Sequence, residues 1–245
     1  MYERTGRYYA LFGPKAVTTD AEERFLRHWA RGRERALDLG AGLCGPATML
    51  ARLGLDVLAF EPSPILGALA LDRLGRVSDE GGNVTLVEGD TATFAEPFTA
   101  DLLLMRSVWM LLDDAQRKLA IEALKRHCAP GARLIVDART AALFWADKGG
   151  SDEERRIGHT LFRRSNRYAR LADGSTQVHW IVEVERFCRR VDRVEESFTV
   201  RADSADDLSR DLSAEGFAIE QLYAAYDLDA PYAAGSEMIF AVASG

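Results

Sequence analysis

The chain has 245 residues, 47% of them hydrophobic, and a net charge of −7. That length and apolar content suit one large domain with its own core, and the acidic balance excludes the basic surplus with which nucleic-acid binders neutralise phosphate. Three cysteines (Cys44, Cys128, Cys188) and four histidines (His28, His127, His159, His179) are scattered without CxxC or HxxxH spacing, so neither a disulfide framework nor a metal site is expected. No apolar run approaches the ~20 residues of a membrane helix, and Met1-Tyr2-Glu3-Arg4 opens no secretory signal. The expectation is a cytoplasmic protein that touches neither membrane nor nucleic acid.

Residues 1–36 read as helical, with an amphipathic segment around Phe25, Leu26 and Trp29. An alternation follows. Ala36–Leu39 is a short apolar strand ending at Gly40, and Pro46–Leu53 a helix with proline in its first turn. Asp56–Phe60, Val84–Glu88, Asp101–Arg106 and Leu134–Asp137 read as further strands, with helices at Ile65–Leu74 and Ala115–His127. Strands alternating with helices predict an α/β fold: a Rossmann-like, mostly parallel sheet with helices on both faces. The near-continuous apolar run Leu102-Leu103-Leu104-Met105 fits a strand buried on both sides.

The pattern changes after Ala138. Asp173-Gly174 signals a turn, and Gln177–Val184, Arg186–Val191 and Arg193–Val200 alternate as antiparallel strands with one solvated face. Ala205–Glu215 reads as a helix ended by Gly216, and Phe217–Tyr223 and Met238–Val242 as closing strands. The β-rich stretch is therefore an antiparallel insertion after strand five. The chain divides, within one domain 1–245, into 1–35, a core 36–140, the insertion 141–204, and 205–245 returning to the core sheet.

The first strand runs into Gly40-Ala41-Gly42-Leu43-Cys44-Gly45, where glycines let a cofactor approach the backbone. Glycines alone also make ordinary turns, and the acidic residues decide. Asp38, two residues before Gly40, would repel a pyrophosphate but not a cationic amine and sulfonium. Glu61 ends the second strand, where a carboxylate accepts from ribose hydroxyls, and Asp90 ends the third, followed by Thr91. Three acidic strand ends favour S-adenosylmethionine over a nicotinamide cofactor. Each is also readable singly as a cap or loop carboxylate.

These segments together resemble the class I S-adenosylmethionine-dependent methyltransferases. Leu37–Gly42 resembles the family's glycine-rich loop, Asp56–Pro64 its ribose strand and turn, Leu86–Asp90 its adenine strand, Phe98–Ser107 its fourth strand, and Pro130–Leu134 the lead into its fifth. The third glycine usual two residues after the second is replaced here by Cys44, with Gly45 next. The resemblance implies cofactor contacts from Asp38, Gly40, Ala41, Gly42, Glu61, Pro62, Asp90, Thr91, Met105 and Arg106. It extends more weakly, through the insertion and Leu212–Phe217, to bacterial small-molecule methyltransferases that act on amino sugars and natural products. It also implies that 1–35 is a lid over the cofactor.

Candidates for chemistry follow. On the lid, Tyr8 and Tyr9, with Tyr2 nearby, match loosely the position of a tyrosine near the methyl group, or pack the lid against the domain. Arg7 is placed to hold a cofactor carboxylate, or is a surface arginine. Trp109 after strand four lines the substrate pocket or fills core. Arg139 after strand five meets a substrate carboxylate or forms a structural ion pair. His179 and Trp180 point to opposite faces of one strand; His179 is a candidate base, Trp180 a substrate contact. The implied activity is methyl transfer to nitrogen or oxygen of a small molecule. The alternative is a cyclase or rearrangement enzyme that uses the cofactor without ordinary methyl transfer. A homodimer is the candidate assembly.

Overall fold

The computed structural model describes residues 2–12, 19–77, 83–89, 98–142 and 150–245. In chain order the first half contains α1 (Tyr9–Phe12), α2 (Asp20–Ala30), β1 (Arg35–Leu39), α3 (Gly45–Arg52), β2 (Asp56–Glu61), α4 (Pro64–Val77), β3 (Asn83–Glu88) and β4 (Ala100–Met105). The second half contains α5 (Asp114–Arg126), β5 (Cys128–Arg139), β6 (Gly150–Ile157), β7 (Thr160–Arg170), β8 (Thr176–Arg186), β9 (Arg189–Val200), α6 (Ala205–Ala214), β10 (Ala218–Tyr223) and β11 (Met238–Ser244).

Among the described residues one sheet has the order β10-β11-β5-β4-β1-β2-β3. Its β1–β5 strands are parallel, and β11 returns antiparallel to β5. Leu37 of β1 stands between Leu58 of β2 and Leu103 of β4, all three buried. Strand alternation splits the core into two layers. Ala36, Val57, Leu102 and Leu104 pack with Phe25, Leu26 and Leu50 on one face; Leu37, Leu58, Phe60 and Leu103 pack with Ile121, Leu124, Leu208 and Leu212 on the other. Three helices start on capping boxes: Thr19 with Glu22, Asp113 with Gln116, and Ser204 with Asp207. Each box satisfies helix-end N–H groups that are otherwise unpaired.

The insertion is a second sheet, β6-β7-β8-β9, antiparallel throughout. Several sequence expectations change here. β6 and β7 were not expected, because Asp152, Glu153, Glu154, Arg155 and Arg156 crowd an edge strand with charge and hide its alternation. The expected strand Arg186–Val191 does not exist as such. The chain turns at Phe187-Cys188, both with positive φ (49° and 60°), and β9 runs unbroken from Arg189. A two-residue hairpin needs that backbone, but neither residue advertises it. The N-terminal helical stretch is broken into a short 3₁₀ turn at Gly6–Tyr8, α1 and α2. β5 starts at Cys128, six residues earlier than expected, through Pro130-Gly131 and a register shift against β4.

The two sheets are joined at residues 201–203. Arg201 N–H donates to the Met110 carbonyl and Asp203 N–H to the Arg139 carbonyl, both at 2.8 Å. Arg117 of α5 meets Asp203 with both arms, at 2.6 and 2.9 Å, and lies 4.6 Å over the Trp109 ring. Both partners of this pair are buried. Asp211 stands 3.8 Å from Arg117 as a longer, more exposed partner, so removing either member of the two-armed pair leaves a buried charge poorly compensated, which costs up to about 3–5 kcal/mol. Arg117→Ala and Asp203→Ala are each expected to lose stability of that order in urea unfolding. A double replacement by apolar residues of similar volume recovers much of the loss; a loss below about 1 kcal/mol in either single variant contradicts a tight clamp.

Candidate active site

The carboxyl ends of β1, β2 and β4 converge on the loop 40–45. Gly40 and Ala41 N–H both donate to the Phe60 carbonyl at 2.9 Å, which ties the loop to β2. Gly40 has φ +74°, and a Cβ there would stand 2.2 Å from Val108 Cγ2. A Cβ on Gly42 would meet nothing within 4 Å, so that side of the loop faces open space. Cys44, where a glycine is usual in the resembling family, is itself left-handed (φ 55°). The loop path is kept at the steric cost of a non-glycine residue in that region, about 1–2 kcal/mol.

Asp38 ends β1 beneath this loop, 1% exposed, and neither carboxylate oxygen meets a donor at hydrogen-bonding geometry. Burial raises its pKa to about 7; Arg106 and the Ala47 backbone N–H offset this only in part, and Glu61 adds to it. Glu61, at the end of β2, accepts from Gly42 N–H and Ser63 N–H, each at 2.8 Å. Burial still raises its pKa against those two bonds. Asp90 and Thr91 lie outside the described residues; β3 can be followed to Gly89, whose N–H donates to the Glu61 carbonyl.

At the end of β4, Met105 is buried in the core and Arg106 enters the site. Arg106 pairs with Glu22 of α2 at 2.7 Å and lies 5.2 Å over the Tyr226 ring. Asp137 of β5 is buried behind it and accepts from Ser107 N–H at 2.5 Å. Burial raises Asp137 to about pKa 6, more than the Ser107 bond, Arg106 and Arg139 lower it.

A cavity of about 870 Å³ joins this loop to the insertion sheet, with Gly40, Gly42, Glu61, Pro62 and Arg106 at one end. Arg164, Asn166 and Tyr168 of β7, Trp180 of β8 and Phe198 of β9 line the other. Tyr2 and Tyr9 close it from the N-terminal segment. Tyr2 lies 4.9 Å from Tyr9 and 5.6 Å from Trp180, and Trp180 lies 5.4 Å from Phe198, measured between ring centroids. Glu196 of β9 holds the segment in place by accepting from the Glu3 and Thr5 backbone N–H groups.

The structure separates the sequence-derived candidates. Tyr9, Arg139 and Trp180 line the cavity with the glycine loop. Tyr8 does not line the cavity: its ring packs beside Phe162 and its hydroxyl donates to Asp192, which also pairs with Arg7 at 2.8 Å. His179 lies on the opposite face of β8 from Trp180, bonded to Ser197 Oγ at 2.6 Å and Glu195 at 3.1 Å. Trp109 is wholly buried under Arg117, and the cavity is lined instead by its neighbours Met110, Leu111 and Leu112. Arg164, Asn166 and Phe198 went unnoticed in the sequence. The first two share a period of two with Tyr168, a signal that becomes readable only once β7 is known to be a strand.

A carboxyl whose pKa is raised on folding binds more protons folded than unfolded. Its burial therefore lowers stability as pH climbs from about 4 through the folded value, and the full cost is present above about 7 for Asp38. Asp38→Asn is expected to be more stable than the parent at pH 8, by an amount on the order of 2–4 kcal/mol. The gain should vanish near pH 4, as read by urea unfolding at both values; an equal gain at both removes the burial argument.

Buried, under-satisfied carboxylate oxygens beneath a glycine loop, beside open space and a second strand-end carboxylate, fit a cofactor with a cationic amine, a sulfonium and ribose hydroxyls. Comparisons with known proteins agree. Residues 37–136 match the family model described as methyltransferase domain. The uncharacterized methyltransferase YrrT of Bacillus subtilis is 33% identical over 92 residues. That match spans 37% of this chain and 40% of that protein, under half the relative's length. An S-adenosylmethionine-dependent methyltransferase from Clostridium acetobutylicum superimposes with a TM-score of 0.77 at 16% identity, over 97% of this chain and 95% of that one. CalS10, an amino pentose methyltransferase from Micromonospora echinaspora solved with the cofactor bound, gives 0.68 at 21% identity, over 92% and 88%. Residues 37–136 are thus similar to a methyltransferase domain, and they are set in a chain with the fold of S-adenosylmethionine-dependent methyltransferases.

Proposed function

We propose that this protein transfers a methyl group from S-adenosylmethionine to a nitrogen of a small molecule held between the core and insertion sheets. The observation that carries this reading is the single cavity joining the glycine loop and Glu61 to Tyr9, Trp180 and Asn166. Donor and acceptor ends share one space, as an in-line displacement requires. The cofactor supplies a methyl carbon activated by its sulfonium. The chain's own residues bind and orient: Glu61 has lone pairs left for ribose hydroxyls, and the Asp38 carboxylate favours nearby positive charge. Tyr2, Tyr9 and Trp180 shield the acceptor from water.

Nitrogen is preferred to oxygen for a chemical reason. A hydroxyl acceptor needs a base, whereas a neutral amine brings its own lone pair. Among the described cavity-lining residues there is no histidine. Burial raises the pKa of both Tyr2 and Tyr9, so neither is a phenolate at neutral pH. Glu61 already accepts two backbone N–H groups. In the proposed step the carbon–sulfur bond breaks as the nitrogen–carbon bond forms. S-adenosylhomocysteine leaves, and the amine proton is released to solvent.

Calorimetry with S-adenosylmethionine, followed by incubation with methyl-labelled cofactor and a panel of amino sugars and other small amines, tests the reading. Binding and S-adenosylhomocysteine formed in step with a methylated amine are expected; no cofactor binding overturns it. Glu61→Ala removes acceptors for charge-assisted bonds worth about 1.5–3 kcal/mol each, so cofactor affinity should fall about ten- to hundred-fold. Arg210→Ala, exposed on α6 and away from the cavity, should leave it unchanged. Trp180→Ala is expected to raise the acceptor KM about ten-fold or more while cofactor affinity stays within about two-fold. Equal losses in both would place Trp180 in the general fold instead of the acceptor end.

A further inference from the structure

The acceptor end of the cavity carries polar capacity that the protein leaves unused. Three cations line the cavity. Arg106 is paired with Glu22 at 2.7 Å, and Arg164 with Glu153 at 2.5 Å. Arg139, half-buried at the end of β5, makes no ion pair among the described residues. The acidic groups around it are otherwise engaged or out of reach. Asp137, two residues earlier, feels the Arg139 charge but makes no ion pair with it and accepts from Ser107 N–H. Glu61 accepts from Gly42 and Ser63. Glu3 stands exposed at the rim without an ion pair to Arg139.

Asn166 faces the same cavity from β7 and is 5% exposed. Its Nδ2 donates to Ser151 Oγ at 2.7 Å, but its Oδ1 meets no donor. Buried side-chain oxygens are seldom left so, and here the open side is the cavity. Sheet order fixes which end of the reaction these groups serve. β4 separates β5 from β1, so Arg139 lies two strand spacings, roughly 10 Å, beyond the strand that carries the glycine loop. It therefore belongs to the acceptor and not to the adenosyl half of the cofactor.

Building on the proposed methyl transfer, we infer that the acceptor is a small anion that also carries a hydrogen-bond donor. Arg139 takes its carboxylate or phosphate, and Asn166 Oδ1 accepts from an N–H or O–H of the same molecule. The planar guanidinium suits either anion as a two-armed contact, and Trp180 and Tyr9 wall the apolar part between the two polar ends.

The test is a binding measurement that needs no turnover. Benzoate, phenyl phosphate and benzamide are titrated by calorimetry into the full chain at low salt, with and without S-adenosylhomocysteine. At least one anion is expected to bind about ten-fold tighter than benzamide. The arm that binds better distinguishes carboxylate from phosphate. Arg139→Gln should abolish the preference and Arg139→Lys should keep part of it. Far-ultraviolet circular dichroism of each variant should match the parent. A hydroxybenzoate is expected to bind tighter than benzoate, and Asn166→Ala should erase that gain. The inference is overturned if no probe binds, if benzamide binds as tightly as both anions, or if Arg139→Gln keeps the preference. The Asn166 half falls if no hydroxybenzoate exceeds benzoate, or if Asn166→Ala retains the gain. Anion preference without S-adenosylhomocysteine binding would sink the cofactor reading alone; the converse would sink only this one.

Discussion

A buried, two-armed ion pair, Arg117 with Asp203, is the constraint on which the site depends. Parallel strands with helices on both faces build a complete core by themselves, and their carboxyl ends open on one edge of the sheet. That edge becomes an enclosed site only if a second body is held over it. Asp203 is where the chain comes back from the insertion. Its side chain is held by α5, while its backbone N–H bonds to the last residue of β5. The Arg117 guanidinium also lies on Trp109, so the loop after β4 is fixed by the same contact. Loop, strand end and insertion thus share one anchor, and the position of Trp180 and Asn166 over the glycine loop follows from it.

The site is organised by charges held away from water. Asp38 and Asp137 are buried with raised pKa values, about 7 and about 6, on the strands flanking Arg106. Arg106 is in turn fixed by Glu22 and the Tyr226 ring. Such a cluster costs stability and keeps its electrostatic reach, because little solvent screens it. The N-terminal segment completes the enclosure through short contacts to β9: Thr5 and Glu3 to Glu196, Tyr8 and Arg7 to Asp192. Tyr8 and Arg7 therefore serve attachment, which frees Tyr9 to face the cavity. Adjacent residues at the start of a short helix point in different directions, and only the tertiary contact decides which of them meets the ligand.

The legible parts of the fold were those with local periodicity and a complete hydrophobic code. β1, β2 and β4 are buried on both faces and read as apolar runs bounded by glycine or charge. The insertion was legible only from Gln177 onward. β6 alternates charges whose partners sit on the neighbouring strand, such as Glu154 with Arg163 and Asp152 with Arg167. Without the pairing, those residues look like a solvated loop. Trp109 illustrates a second limit. A tryptophan after a strand end suits pocket or core equally, and the choice depends on Arg117, eight residues on, stacking over it.

The sequence by itself determined the alternating architecture, the glycine loop, and the carboxylates Asp38 and Glu61 at successive strand ends. Those features depend on backbone conformation and on short-range order, which neighbouring residues specify. Tertiary structure alone decided that Tyr9, Trp180, Arg139 and Asn166 share one cavity while Tyr8 and His179 face away from it. Their separations in sequence run from 14 positions, Asn166 to Trp180, to 171 positions, Tyr9 to Trp180. No local pattern links positions so far apart. They meet because two sheets with separate hydrogen-bond registers are clamped at Asp203, and the facing side of each strand is set by that register.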